Sequence, residues 1–183
     1  MSAPLRTAAE SQAQATFTAL MWALSYPGSP QALPRTKATG ILAIAEALVD
    51  LETSYYTPDP QLDQQIAQMG ARRRDPDRAM YQFFPQLCSA DLGVLWVAPI
   101  GTFRDPDQSA TLVIGCQLGD GSRFRLRGPG IQGSTELRVG GLPDGFWALR
   151  AASNRYPLGW DVLLVDGERV IGLPRTTLVY PAP

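Results

Sequence analysis

The chain has 183 residues, 45% hydrophobic and 18% charged, with a formal net charge of −1. That composition is ordinary for a globular protein and gives no bulk electrostatic reason to expect nucleic acid or an anionic membrane as partner. Histidine is absent and lysine occurs once, at Lys37. These absences exclude His-based triads, His proton shuttles and His-ligated metal sites, and they leave a Schiff-base mechanism one candidate.

The N-terminal stretch has no basic segment followed by an apolar one, so export is not expected. Residues 11–34 are free of charge but too polar to span a bilayer. Phe17, Leu20, Met21 and Leu24 recur at i, i+3, i+4, i+7 and predict one buried face of a helix that Pro27-Gly28 ends. Ile41, Ile44, Ala45 and Leu48 predict a second helix over 37–51. Residues 53–56 read as a short strand. Asp59-Pro60 supplies an N-cap and a first-turn proline for a third helix to about residue 69. Residues 71–78 read as a polar connection and 80–84 as a strand. Residues 91–98 fit either a helix or a buried strand.

Residues 109–118 are β-branched and apolar, a strong strand pattern. Gly119-Asp120-Gly121 reads as a tight turn into the alternating strand 122–127. Further strands are expected at 135–139 and 160–165, a helix at 143–154, and a strand at 169–173 joined to its predecessor through Asp166-Gly167. The order predicts one α/β domain over 1–183, with a mixed sheet and helices packed on it. Cys88 and Cys116 form no CxxC pair; free, small, buried side chains are expected.

Arg123, Arg125 and Arg127 fall at i, i+2, i+4 and share one face of a strand, with Phe124 and Leu126 on the other. Gly128-Pro129-Gly130 follows directly. Arginine offers bidentate donors, and a glycine turn can line an anion with N–H groups. A solvated strand face, an anion pocket and a protein interface all fit this pattern. A second arginine beside stiff backbone is Arg175, in Leu-Pro-Arg-Thr-Thr. It holds an anion, pairs with an internal carboxylate such as Asp161, or contacts an acidic partner surface. Arg72-Arg73-Arg74 reads as a solvated charge run. No GxGxxG or GxxxxGK[ST] nucleotide motif occurs.

Residues 154–177, "NRYPLGWDVLLVDGERVIGLPRTT", resemble the signature of the PhnH family, the H subunit of the bacterial carbon–phosphorus lyase core complex. "GTFRDPDQSATLVI", "LRGPGI" and "FTALMWALSYPGSP" agree with other family stretches, while 70–91 align poorly. Where the family usually has arginines near the first helix, this chain has Thr18 and Tyr26. The resemblance implies a three-layer α/β/α domain with a mixed sheet, similar to the PLP-dependent transferase fold but without PLP or its lysine, and no cofactor. It implies a cytoplasmic subunit in phosphonate catabolism that supports transfer of an alkylphosphonate onto the ribose of ATP. The implied partners are the G, I and J subunits and, for the isolated chain, a second copy. On this reading the chain is mainly scaffold, with no self-contained catalytic site. Its candidate anion ligands are Arg127, Gly128, Gly130, Asp161 and Arg175. The alternatives are a free-standing enzyme acting on a phosphorylated ligand and a module that senses phosphonate or nucleotide.

Overall fold

The computed structural model describes residues 7–35 and 38–182. Lys37 therefore lies outside the described residues. Helix α1 (Ala8–Ser25) starts at a capping box, Thr7 with Glu10. After β1 (Gln31–Ala32), Thr39 caps α2 (Gly40–Leu48). Asp50 accepts the N–H groups of Glu52 and Thr53, which closes α2 well before residue 51. Strand β2 (Ser54–Tyr56) leads to α3 (Pro60–Ala67), which Asp59 caps as expected.

The polar connection contains a two-residue edge strand, β3 (Arg72–Arg73), parallel to β2. Strand β4 (Tyr81–Phe84) precedes a short 3-10 turn and α4 (Leu92–Trp96), so the ambiguous segment is helical. Then come β5 (Thr111–Gly115), β6 (Gln117–Arg127), β7 (Thr135–Gly140), α5 (Phe146–Ser153), β8 (Asp161–Asp166), β9 (Arg169–Leu173) and β10 (Leu178–Pro181).

These strands make a seven-stranded mixed sheet in the order β1-β9-β8-β5-β4-β2-β3, and a three-stranded antiparallel sheet, β10-β6-β7. In the large sheet β8, β5, β4, β2 and β3 run parallel, while β9 is antiparallel to β8 and β1 to β9. Side chains alternate across it. Tyr55, Phe83, Val113, Leu163, Val165 and Val170 join a core with α1, α2 and α3. Phe84, Leu112, Ile114, Val162, Leu164 and Ile171 join a second core with β6, β7, Phe146 and Leu95.

Two expectations need correction. Residues 119–121 are not a hairpin turn between 109–118 and 122–127. They bulge out within β6, where the register to β7 shifts between Leu118 and Ser122. The positive φ values of Gly119 and Gly121 suit a bulge as well as a turn, so local chemistry does not separate the two. The burial pattern does: β5 is covered on both faces and pairs with parallel neighbours.

The second correction concerns α1. Its buried side chains are Thr16, Ala19, Leu20 and Ala23. Phe17, Met21 and Trp22 are about half exposed, at 47, 55 and 50%. Small residues face inward because α1 lies against the backbone of β9 at Gly172. A Cβ at that position would come within 2.6 Å of the Ala23 carbonyl carbon.

Candidate functional site

The polar centre of the C-terminal region forms where α5, the loop after it, and the turn between β9 and β10 converge. Trp160 is fully buried. Asn154, the residue after α5, pins its backbone: Oδ1 accepts the Trp160 backbone N–H at 3.0 Å, and Nδ2 donates to the carbonyls of Trp160 and Arg175 at 3.3 and 3.4 Å. Gly159 leaves room for this, since a Cβ there would sit 2.5 Å from Asn154 Oδ1.

Asp161 opens β8 beside that anchor. Its Oδ1 accepts the Arg175 backbone N–H at 2.8 Å, and its Oδ2 meets Arg175 Nη2 at 2.7 Å. Arg175 Nη1 donates to the carbonyls of Pro106 and Pro157 at 2.5 and 3.4 Å. Only 16% of the Arg175 side chain and 24% of the Asp161 side chain are exposed. This pair is the internal pairing that the sequence leaves open as one of three roles for Arg175.

Sequence reasoning overlooked Arg150, which is 3% exposed. From α5 it donates to the carbonyls of Thr177 at 2.9 Å, Leu173 at 3.3 Å and Pro174 at 2.8 Å. Burial lowers its pKa to about 10, while the nearby Asp161 charge acts in the opposite direction. It therefore remains protonated at neutral pH. An arginine in a helix written "FWALRAAS" reads as an exposed position. The available signal is an absence: the Leu-Pro-Arg-Thr-Thr turn has carbonyls that need a donor.

The other candidate residues lie next to this turn. Arg127 is paired in register with Leu178. Gly128 has φ +147°, and a Cβ there would lie 2.9 Å from the Thr176 carbonyl oxygen. Gly130 has φ +80°, with the Ser25 carbonyl oxygen only 2.3 Å from such a Cβ. Both glycines thus permit close backbone approach. The main chains of the two arginine-bearing stretches adjoin, but their side chains take different surroundings. Arg175 is bound to Asp161, whereas Arg127 is exposed and shares a shallow hollow with Arg125, Tyr180 and Pro181.

A larger cleft of 660 Å³ opens where β4, β5 and β8 end, the usual ligand position in an open α/β sheet. Thr39, Asp59, Gln65, Cys116 and Glu168 line it, with no arginine among the described residues. Burial pushes the Cys116 thiol up to about 12, with the Asp166 charge adding to the rise, so it is no thiolate nucleophile at neutral pH. Cys88, expected to be buried, is exposed; both thiols are free.

The model of the bacterial phosphonate metabolism protein family, PhnH, matches residues 6–180. The chain belongs to the PhnH family. Among its relatives, a putative C-P lyase subunit protein, HtxG, from Stutzerimonas stutzeri is 33% identical, over 90% of this chain and 84% of that protein. The alpha-D-ribose 1-methylphosphonate 5-triphosphate synthase subunit PhnH of Rhizobium meliloti (strain 1021) is also 33% identical, over 91% and 89%. Within a PhnH chain the two departures have simple local roles. Tyr26 stacks on Trp22 with ring centroids 5.5 Å apart, and Thr18 donates to the Gln14 carbonyl at 2.9 Å.

Proposed function

We propose that this chain is the H subunit of a carbon–phosphorus lyase core complex. In that role it supports transfer of an alkylphosphonate onto the ribose of ATP. The observation that carries the reading is the family match over residues 6–180. The names of the two relatives, a C-P lyase subunit and a ribose 1-methylphosphonate 5-triphosphate synthase subunit, point the same way. A cytoplasmic location belongs to the reading; among the described residues no helix is long and apolar enough to cross a membrane. So does one PhnH-like domain over 1–183 in three layers, similar to PLP-dependent transferases without the cofactor. Its support is that α1–α3 cover one face of the large sheet, while the small sheet with α4 and α5 covers the other.

On this reading the chain acts as scaffold. The Asp161–Arg175 pair positions the loops that contain Pro106 and Pro157. Of the other expected anion contacts, Gly128 and Gly130 serve close backbone packing, and Arg127 stays exposed beside Arg125. The test is growth of a strain lacking its own H subunit on methylphosphonate as sole phosphorus source. This chain, supplied with its cognate partner subunits, should restore growth; failure to do so overturns the reading. Arg175→Ala removes a charge-assisted pair and should cost about 1.5–3 kcal/mol of stability. With protein level matched, growth should survive. Loss of growth with an unchanged melting temperature would assign Arg175 to the ligand instead.

The G, I and J subunits and a second copy are the proposed partners. Support for the second copy comes from the outer face of α1. It exposes Phe17, Met21, Trp22 and the adjacent Tyr26, and no charge occurs between residues 11 and 34 to make two copies repel. Sedimentation at micromolar concentration should show two chains together, and Trp22→Asp should shift them to monomer. A wild-type monomer would refute the homodimer.

A further inference from the structure

The outer face of the small sheet has an uneven charge. Arg123, Arg125 and Arg127 on β6 all point away from the core, since Phe124 and Leu126 between them are buried. On β7, Arg138 stands directly opposite Arg123, and Glu136 opposite Arg125. On β10, Tyr180 stands opposite Arg125 and Leu178 opposite Arg127; both are about half exposed, at 47 and 54%. Among the residues paired in register there, four arginines thus stand with one carboxylate, on a chain whose total charge is −1. None of the four joins an ion pair among the described residues.

A like-charge pair directly across an antiparallel ladder destabilises the sheet. Arg123 opposite Arg138 is such a pair, and glutamate at either position would relieve it. A solvated face needs no such arrangement. An arginine row beside an exposed tyrosine matches the residue types enriched where proteins dock.

We propose that the outer face of the β10-β6-β7 sheet docks an acidic surface of a partner protein; this rests on the reading of the chain as a subunit of a complex. A second copy of the same face is repelled by charge. A compact anion is a poor fit, because β6 is the central strand and its backbone groups are engaged in ladders on both sides. The nearby glycine turn packs against Ser25 and Thr176. The arginine row extends about 13 Å along β6, at roughly 3.3 Å per residue, which suits several carboxylates presented on a folded surface. RNA platforms stack two or three bases on aromatic side chains, and on these three strands the face carries only Tyr180.

The test is quantitative co-purification of the tagged chain with its cognate co-expressed G, I and J subunits across a salt series. The wild type should retain partner at low salt and lose it as salt rises. Arg125→Glu with Arg127→Glu should weaken retention at least about tenfold. Arg138→Glu is the sharper arm: its Tm should equal or exceed that of the wild type while its retention falls. Arg72→Glu with Arg74→Glu, on the far edge of the large sheet, should retain partner normally. If the wild type retains no subunit, the subunit reading fails and this inference with it. If the wild type retains them and the β6 and β7 variants do so equally, only this inference is overturned. It is likewise overturned if those variants keep their partner but lose binding of ATP or of a single-stranded oligonucleotide.

Discussion

Arg150→Ala should lower the melting temperature by on the order of 10 °C, more than any substitution on the sheet surface. Two effects compete. Removing the arginine relieves a desolvated charge, which favours the variant. It also takes a guanidinium N–H, at 2.8–3.3 Å, from each of the carbonyls of Leu173, Pro174 and Thr177, although Pro174 keeps the Thr177 backbone N–H at 2.8 Å. An orphaned buried acceptor costs about 1–3 kcal/mol, and truncating a side chain this size leaves a cavity as well. The lost donors and the cavity together outweigh one relieved charge, so the expected net loss is about 3 kcal/mol. In a chain of this length each kcal/mol moves Tm by about 2–4 °C. Arg150→Met separates the cavity from the rest, because it keeps most of the volume and loses the donors and the charge. Arg150→Met with wild-type stability would show that water can replace the arginine at these carbonyls. Calorimetry on the three proteins decides it.

The turn that Arg150 holds also illustrates what was legible in the sequence. The element order was readable because periodicity and caps act locally. Asp59-Pro60 starts α3 and Gly167 turns β8 into β9, and neither needs tertiary information. The pairing of Asp161 with Arg175 was readable as one alternative, since the family signature places both residues at the ends of one hairpin. Arg150 was not, because its donors serve carbonyls 23–27 positions away and nothing around it in sequence marks it as buried. The bulge at 119–121 was missed for the same kind of reason. Two positive-φ glycines satisfy a turn and a bulge equally, and partner choice between β6 and β5 is decided by which strands are covered on both faces. The cleft between the ends of β4, β5 and β8 leaves no local pattern either, because its lining comes from five separate stretches of chain.

Gly172→Val should destabilise the chain by about 2–3 kcal/mol and loosen α1 from the sheet. Intrinsic preference runs the other way: valine is a better strand residue than glycine by up to about 1 kcal/mol, and Gly172 has no positive φ to forbid a side chain. Steric conflict decides the sign. A Cβ at residue 172 would sit 2.6 Å from the Ala23 carbonyl carbon and oxygen and 2.7 Å from the Leu24 nitrogen. Those are helix backbone atoms with no rotamer to escape into, so α1 as a whole must lift. Lifting it exposes the Leu20 and Ala23 contacts that seat the helix on β9, and overpacking against fixed structure costs about 1–3 kcal/mol by itself. The same geometry predicts that Ala23→Gly cannot rescue Gly172→Val, because the clash involves no atom of the Ala23 side chain. Gly172→Ala should fall between the wild type and valine. Equal melting temperatures for all three proteins would mean that α1 is not seated at this point. It would also remove the reason that alanines, rather than the Phe17 and Met21 stripe, face the sheet.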